Sequence, residues 1–311
     1  MDRSNISTAR IFQRGPPRTS NFERKLPTGV APIPNALKGE VNQVCGAEMT
    51  PHRDTSLATI RKSVHMSAHS STLSPTFDFF SDTPSGKDPD DHSPTLRQFH
   101  SVLWSKPLRS GRELAPKPPT RRRDGYLIHD EDGLKLWFGS DAITHSYGTW
   151  LKPRALVDAV AALDESQRAR YLNQPYTVAE TMIWPVRSKD MPTLNQARGT
   201  RSVIADRFDL TLECIRRHYQ VDGDSPLADV LTAYADVFAL FEDFNEFVDF
   251  FHLQDLVSPD YTSIKFFLPF DRFERHGAPR SVDEYVTYRE AQLAFVHDRQ
   301  HRIAQWLDST R

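Results

Sequence analysis

The stretch SVIADRFDLTLECIRRHY, residues 202–219, repeats apolar residues at helical spacing and predicts a long amphipathic helix. The face expected to pack on the core carries Ile204, Ala205, Phe208, Leu212, Ile215 and Tyr219. The face expected in solvent carries Asp206, Asp209, Glu213, Arg216 and Arg217. This helix is therefore expected to pack against the core of a folded domain.

One charged residue of this stretch does not fit the solvent face. Arg207 projects between apolar positions, and a buried arginine is costly unless it is paired. We expect it to meet a carboxylate, a run of carbonyls or an anionic ligand. The last predicted helix, which begins at the capping box of Ser281 with Glu284, repeats the pattern with Arg289 and Gln300 inside its apolar stripe. Two inward arginines indicate either an anion-binding pocket or structural salt bridges.

The segment NQARGTR, residues 195–201, is predicted as a loop that leads into the N-terminus of the 202–219 helix. Helix N-termini favour anions through their free N–H groups and the helix macrodipole. Asn195, Arg198 and Arg201 could therefore bind a phosphate or carboxylate, with a glycine between the arginines allowing close approach. The segment matches no phosphate-loop fingerprint, so an ordinary loop with an N-cap is the alternative.

Proton-transfer residues are harder to choose from this sequence. Asp206 and Glu213 lie on the predicted helix, and His145 follows a predicted strand, where site residues often lie. Asp141 and His100 are further candidates, and no nucleophile pairs with any of them. The signatures of zinc proteases, serine hydrolases, dinucleotide-binding folds and kinases do not occur.

No metal site is predicted, and the sequence does not identify a cofactor. The acidic turn at residues 88–92 fits no calcium loop and is interpreted as solvated. The chain has two cysteines, which allow neither a zinc set nor a disulfide framework.

Composition separates the first 75 residues from the rest. Of the chain's 39 Lys/Arg and 41 Asp/Glu, ten and five respectively fall in residues 1–75, so this stretch is basic and the body is acidic. We predict that residues 1–75 are a disordered tail. A true start at Met66 is the alternative, and the acidic residues weaken a resemblance to a transit peptide.

Residues 76–311 are predicted to form a single α+β domain, predominantly helical, with a small mixed or antiparallel sheet. Helices outnumber strands and do not alternate with them, which disfavours a doubly wound nucleotide fold. Further helices are predicted over residues 93–106, 153–163, 164–173, 225–241 and 244–256, and strands over residues 126–128, 134–138, 178–186 and 264–268.

The sequence also bears on location and partners. No run of about 18 apolar residues occurs, so no membrane span is predicted. The low cysteine content suits the cytoplasm. The acidic body makes nucleic acid an improbable partner, despite the basic run at residues 121–123.

Five stretches carry a resemblance to a known family: FFSDTPSGKDPD (79–90), LWSKPL (103–108), IADRFDLTLECIRR (204–217), FHLQDLV (251–257) and FLPFD (267–271). They resemble a family of uncharacterised bacterial proteins, a domain of unknown function, over about residues 77–307. The resemblance implies one domain without the preceding tail, and it implies no activity.

Two hypotheses of function follow. In the first, the protein binds or acts on an anionic small molecule or nucleotide through an arginine-rich pocket. In the second, it is a non-catalytic interaction module, for instance of a bacterial stress or defence system, whose aromatic segment 238–251 is partly exposed. The side chains that the first hypothesis assigns to ligand binding are Asn195, Arg198, Arg201, Arg207 and Arg289, with Asp206, Glu213 or His145 as acid or base.

Overall fold

The computed structural model describes residues 73–120, 125–147, 154–186, 193–220 and 224–310. The tail predicted over residues 1–75 therefore lies outside the described residues, apart from its last three, and so does the basic run at 121–123. Residues 71–311 cluster into one compact unit. The helix-rich α+β class predicted for this part of the chain is confirmed.

Short helices joined by irregular segments make up most of the described chain. Two of their predicted starts are confirmed, because the Ser93 hydroxyl accepts a hydrogen bond from the Leu96 N–H and the Ser281 hydroxyl accepts one from the Glu284 N–H. The helices are α1 (Pro89–His92), α2 (Pro94–Leu103), α3 (Arg154–Ala161), α4 (Glu165–Leu172), α5 (Leu194–Thr200), α6 (Phe208–His218), α7 (Ala228–Ala233), α8 (Ala235–Phe238), α9 (Phe244–Phe250) and α10 (Val282–Ser309).

Two small antiparallel sheets accompany these helices. Strands β1 (Lys106–Pro107) and β2 (Glu113–Leu114) pair with each other. Strands β3 (Leu127–Glu131), β4 (Leu134–Ala142) and β5 (Thr181–Val186) form the second sheet, in that order. The β3–β4 hairpin turns at Asp132 and Gly133, both with positive φ, as tight hairpin turns commonly require. The register of Ala142 with Thr181 brings the end of β4 next to the start of β5.

The long helix α10 packs against α3 and against a 3-10 turn at Val178–Glu180 that precedes β5. Its buried residues recur every three or four positions and include three polar ones: Tyr285, Tyr288, Arg289, Gln292, Phe295, Arg299, Ile303 and Leu307. The inward position predicted for Arg289 is confirmed. Gln300 is only partly buried, and its neighbour Arg299 is the residue that turns into the core.

The predicted loop and helix boundary around residue 202 is wrong. Residues 194–200 form helix α5, since Thr193 and Gln196 exchange side-chain to main-chain hydrogen bonds in a capping box. Helix α6 begins only at Phe208, because Ala205 and Asp206 have φ values of 49° and 64°, outside the right-handed helical region. The phosphate cradle predicted at a helix N-terminus after Arg201 therefore does not form, as Arg201 follows the C-terminal end of α5.

Helix α6 is enclosed by the domain on nearly every side. Every residue from Phe208 to Ile215 is buried, so the prediction that Asp209 and Glu213 face solvent is wrong. Asp209 is 0% exposed and pairs with Arg207. Glu213 is 3% exposed and pairs with Arg216 and Arg217. Acidic residues usually indicate the solvent face of a helix. Here that indication fails, because each acid is paired with an arginine nearby in the chain and can therefore be buried.

Four further predictions also need correction. The helix predicted over 225–241 is broken into α7 and α8, and the helix predicted over 244–256 ends at Phe250. The segment 264–268 is not a strand and makes one isolated bridge, from Ile264 to Val257. The partner surface predicted on residues 238–251 is wrong, since all its phenylalanines are buried: Phe238, Phe241, Phe244, Phe247, Phe250 and Phe251.

We expect Asp209→Ala to lower the free energy of unfolding by about 3–5 kcal/mol, since it leaves a buried guanidinium without its counter-charge. Asp209 accepts bonds of 3.1 and 2.5 Å from Arg207 and one of 2.9 Å from the Phe267 N–H. Urea unfolding measures the loss. The control is Asp130→Ala, which removes an exposed pair with Lys135 and should change stability far less. Equal losses in the two variants would contradict the assignment.

Candidate functional site

A row of polar side chains crosses the ends of β4 and β5. It contains Asp90 of α1, Asp141 of β4, Asn195 and Arg198 of α5, and Asp206 of the turn before α6. We call these five residues the acid row. All except Arg198 are partly exposed, so solvent reaches the row.

Asp90 forms one end of the acid row. Its carboxylate accepts hydrogen bonds from the hydroxyls of Ser140, at 2.5 Å, and Tyr176, at 2.7 Å. These bonds join α1 to strand β4 and to the segment before the 3-10 turn at Val178–Glu180. The carboxyl group is thus held in place by two neutral donors instead of a basic partner.

Arg198 joins the middle of the row to its other end. Asp141 accepts a hydrogen bond from the Asn195 amide, whose oxygen in turn accepts one from Arg198 at 3.1 Å. Arg198 also donates to the Ala142 carbonyl at 2.7 Å and to the Asp206 carbonyl at 2.9 Å. Because Arg198 is 1% exposed, its guanidinium acts as an internal link of the row.

His145 lies beside the Asp206 end of the row. Its Nε2 is 3.8 Å from Asp206 Oδ2, and Asp206 Oδ1 is 3.3 Å from Arg198. Helix α10 fixes this segment, since the Tyr288 hydroxyl donates to the His145 carbonyl at 2.9 Å. The positive φ of Asp206 adds a strained main-chain conformation, a feature that often accompanies functional sites.

Two carboxyl groups of the row, those of Asp90 and Asp141, hold protons more tightly than ordinary carboxyl groups. Burial and the charge of Asp88 raise the pKa of Asp90 to about 7, against the smaller effect of its Ser140 and Tyr176 bonds. Burial and the nearby Asp90 also raise the pKa of Asp141 well above its usual range, although Arg198 opposes this. Such shifts let a carboxyl group exchange a proton near neutral pH.

A cavity of about 350 Å³ is lined by the segment from α4 to the 3-10 turn at Val178–Glu180 and by helix α10. The described residues that line it are Arg170, Gln174, Pro175, Thr177, Glu180, Leu293, Val296, His297 and Gln300. Glu180 is 7% exposed, and its carboxylate accepts hydrogen bonds from the Thr144 hydroxyl at 3.1 Å and the Thr177 N–H at 3.3 Å. Burial raises its pKa to about 7, while the Thr177 bond and the charge of Arg289 act in the opposite direction.

Residues 143–145 connect the cavity to the acid row. The Ile143 N–H donates to the Glu180 carbonyl at 2.7 Å, and Thr144 bonds the Glu180 carboxylate. The next residue, His145, faces Asp206. The cavity acid and the row are therefore fixed by one short stretch of chain.

Four of the eight residues chosen from the sequence are brought together: Asn195, Arg198, Asp206 and His145. Arg201 pairs instead with Asp229, at 2.7 Å. Glu213 is held by Arg216 and Arg217, so it has no part in the row.

Arg207 and Arg289, the two inward arginines, face a closed interior. Arg207 is 4% exposed and donates to Asp209 and to the carbonyls of Gly277 and Leu268. Arg289 is 2% exposed and donates to the Gln292 side chain and, at 2.6 Å, to the Tyr171 carbonyl. Their bonds are made within the protein, so they do not support the arginine-pocket hypothesis.

Sequence reasoning missed Asp90, Glu180 and Tyr176. The turn at 88–92 was interpreted as solvated, but Asp88 caps α1 with Pro89 at its first position, and this cap was a readable signal. The spacing of Thr177 and Glu180 also matches a capping box. His100, a further candidate, is buried against Thr181 and Tyr126, and burial lowers its pKa to about 3.

A family model of proteins of unknown function, DUF6994, matches residues 73–303. The chain belongs to this family. The resemblance to a domain of unknown function is thereby confirmed, and bacterial origin stays a prediction. No curated protein and no solved structure matches the chain. Membership adds no activity to the geometry described above.

The described part of the chain contains neither a helix that could cross a membrane nor a group of side chains suited to a metal ion. No described helix combines the length and the apolar character that crossing a membrane requires. In the same part of the chain, no three His, Cys, Asp or Glu side chains are grouped in a way that could hold a metal ion.

The raised pKa of Asp90 predicts a dependence of stability on pH. The folded protein keeps this proton up to about pH 7, whereas the unfolded chain releases it near pH 4. The stabilisation that the proton on Asp90 gives the folded state is therefore complete below pH 4, and it is lost as the pH rises through 7. From pH 4 to pH 8 the stability of the native protein relative to Asp90→Asn should fall by roughly 3 kcal/mol.

Urea unfolding of both proteins at several pH values measures this difference. The control is Asp91→Asn, since Asp91 is the exposed neighbour of Asp90 on α1. Parallel pH profiles for native protein and Asp90→Asn would show that Asp90 has no raised pKa.

Proposed function

We propose that this domain binds a small anionic molecule in the Glu180 cavity and can exchange a proton with it. The observation that carries the proposal is the cavity itself, whose wall contains the nearly buried Glu180; burial raises the pKa of this carboxyl group to about 7. A concave site with a few converging polar groups and a titratable group of shifted pKa is the usual form of a small-molecule site.

The charge of the lining favours an anion over a cation. Arg170 and His297 bring positive or protonatable groups, and Gln174 and Gln300 bring amide donors. Glu180 is the single acid among the described lining residues, and near pH 7 it is protonated about half of the time. Arg170 also pairs with Glu290 at 2.5 Å, but its side chain is 59% exposed and can reorient toward a ligand.

The cavity volume limits the size of the ligand. About 350 Å³ is close to the lower end of small-molecule sites, which span roughly 300–1,000 Å³. A small carboxylic acid or phosphate ester fits this volume better than a dinucleotide does.

Protonated Glu180 would donate a hydrogen bond to a ligand oxygen, and the ionised form would accept a proton from the ligand. Thr144 and the Thr177 N–H hold the carboxyl group in position for both steps. Asp206 belongs to the acid row and His145 lies beside it, so we assign to them proton transfer at the row and not in the cavity. A reaction, if catalysed, would therefore be an acid–base reaction.

We also propose a cytoplasmic location. Its support is the low cysteine content and the state of Cys214, which is a buried free thiol. Burial raises the pKa of this thiol to about 12, so it stays protonated and unreactive. The role of an interaction module in a stress or defence system stays a prediction.

A thermal-shift screen with small carboxylates and phosphate esters tests the binding proposal. We expect at least one anion to raise the melting temperature at pH 6. If only the form with protonated Glu180 binds, affinity should fall about tenfold from pH 6 to pH 8, following the protonated fraction. Glu180→Gln mimics the protonated acid, so it should bind with little dependence on pH.

The matched control is Glu165→Gln, on the exposed side of α4, which should keep the pH dependence of the native protein. The proposal fails if no anion stabilises the native protein, or if Glu180→Gln keeps the tenfold pH dependence.

A further inference from the structure

A lysine with unusual surroundings lies apart from the acid row and the Glu180 cavity. The Lys106 amine is 4.6 Å from the ring centre of Phe250, 5.3 Å from that of Trp306 and 5.5 Å from that of Trp104. Its nearest polar partner is the imidazole of His252, with Nζ 3.2 Å from Nε2. Three aromatic rings and one imidazole thus surround an amine that remains partly exposed.

The charges around this amine disfavour its protonated form. Among the described residues no carboxylate lies within ion-pair distance of Lys106, whereas Lys117 and Lys135 each have one at 2.5–2.6 Å. The guanidinium of Arg299 is fully buried and bonds main-chain carbonyls, with no carboxylate of the described residues in ion-pair contact with it.

Two opposing effects act on the pKa of Lys106, and the effect that lowers the pKa is the larger. The ring faces favour an ammonium by about 0.5–1 kcal/mol each at exposed sites. Burial and the charge of Arg299 nevertheless lower the pKa of Lys106 to about 7, against a smaller opposing effect of Asp249. A large share of the amine is therefore neutral at physiological pH, as in lysines that form Schiff bases.

His252 is placed to accept a hydrogen bond from the neutral amine. It is 5% exposed, and burial together with the charges of Lys106 and Arg299 lowers its pKa to about 2, which keeps the ring neutral. Its main chain has a φ of 55°, so a left-handed turn directs the ring toward Lys106.

We propose that Lys106 is a nucleophilic amine that condenses with small apolar aldehydes to form a Schiff base. Its Nζ lone pair attacks the carbonyl carbon and forms a C–N bond. The amine is partly exposed, so a water molecule carries a proton from the attacking nitrogen to the oxygen, while His252 Nε2 accepts a hydrogen bond from the amine and holds it in place. The oxygen leaves as water with the second amine proton, which leaves a C=N bond. No oxidant or reductant is needed, and the aromatic rings supply an apolar surface for the aldehyde substituent.

Trapping with propanal and cyanoborohydride on the full chain tests this proposal. At pH 7 and limiting propanal, peptide mapping by mass spectrometry should find Lys106 propylated at least tenfold faster than Lys117 or Lys135. The Lys106 rate should level off above about pH 8, whereas the rate of Lys117 should keep rising, because its bond to Glu131 raises the pKa of this lysine.

Two variants separate the roles of the residues. Lys106→Arg should lose the fast-labelled site and keep the folded circular dichroism spectrum. His252→Asn should slow labelling of Lys106 alone, since asparagine tolerates the left-handed turn but offers no ring nitrogen. The proposal is overturned if Lys106 of the native protein reacts no faster than Lys135, or if its rate still rises between pH 8 and pH 10. The native measurements decide the matter even if a variant does not fold.

Discussion

Main-chain carbonyls without a partner in a helix or sheet set the main constraint on this fold. Many of its segments are irregular, and a buried carbonyl without a hydrogen bond is costly. Buried guanidinium groups meet this need, since each one offers five donors in a rigid fork. The arginines and the carbonyls they bond are Arg198 with Ala142 and Asp206, Arg207 with Gly277 and Leu268, Arg289 with Tyr171, and Arg299 with Ala179, Thr181 and Phe251.

The same arginines determine the electrostatics of the sites. Arg198 lies within the acid row, where it opposes the rise in the pKa of Asp141. Arg289 acts in the same sense on Glu180 across the wall of the cavity. Arg299 has no carboxylate within ion-pair distance among the described residues, so its charge lowers the pKa of Lys106 and of His252. The buried arginines of this domain therefore both stabilise the fold and influence the pKa values of the candidate site residues.

Local patterns in the sequence were enough to predict the features that depend on neighbouring residues. Helical spacing indicated that Arg289 turns inward, and this holds because Arg289 lies within α10. Arg207 is also buried, but it precedes α6, so helical spacing does not explain its position. The site itself could be predicted only in part, because its contacts join distant segments. Tyr176 and Asp90 are 86 residues apart, and no local pattern relates them. The late start of α6 was also hidden, since the left-handed turn before it involves residues other than glycine.

The bonds of Arg299 bear on how quickly this chain reaches its native state. They join residues 48, 118 and 120 positions apart, although most of the regular structure is in short helices. Helices themselves form within microseconds, but closing such long loops costs entropy before any contact compensates for it. A buried guanidinium cannot lose its water until all three carbonyls have assembled around it. We therefore expect this helix-rich domain to fold on the slow timescale of β-sheet proteins, with the docking of α10 as its rate-limiting event.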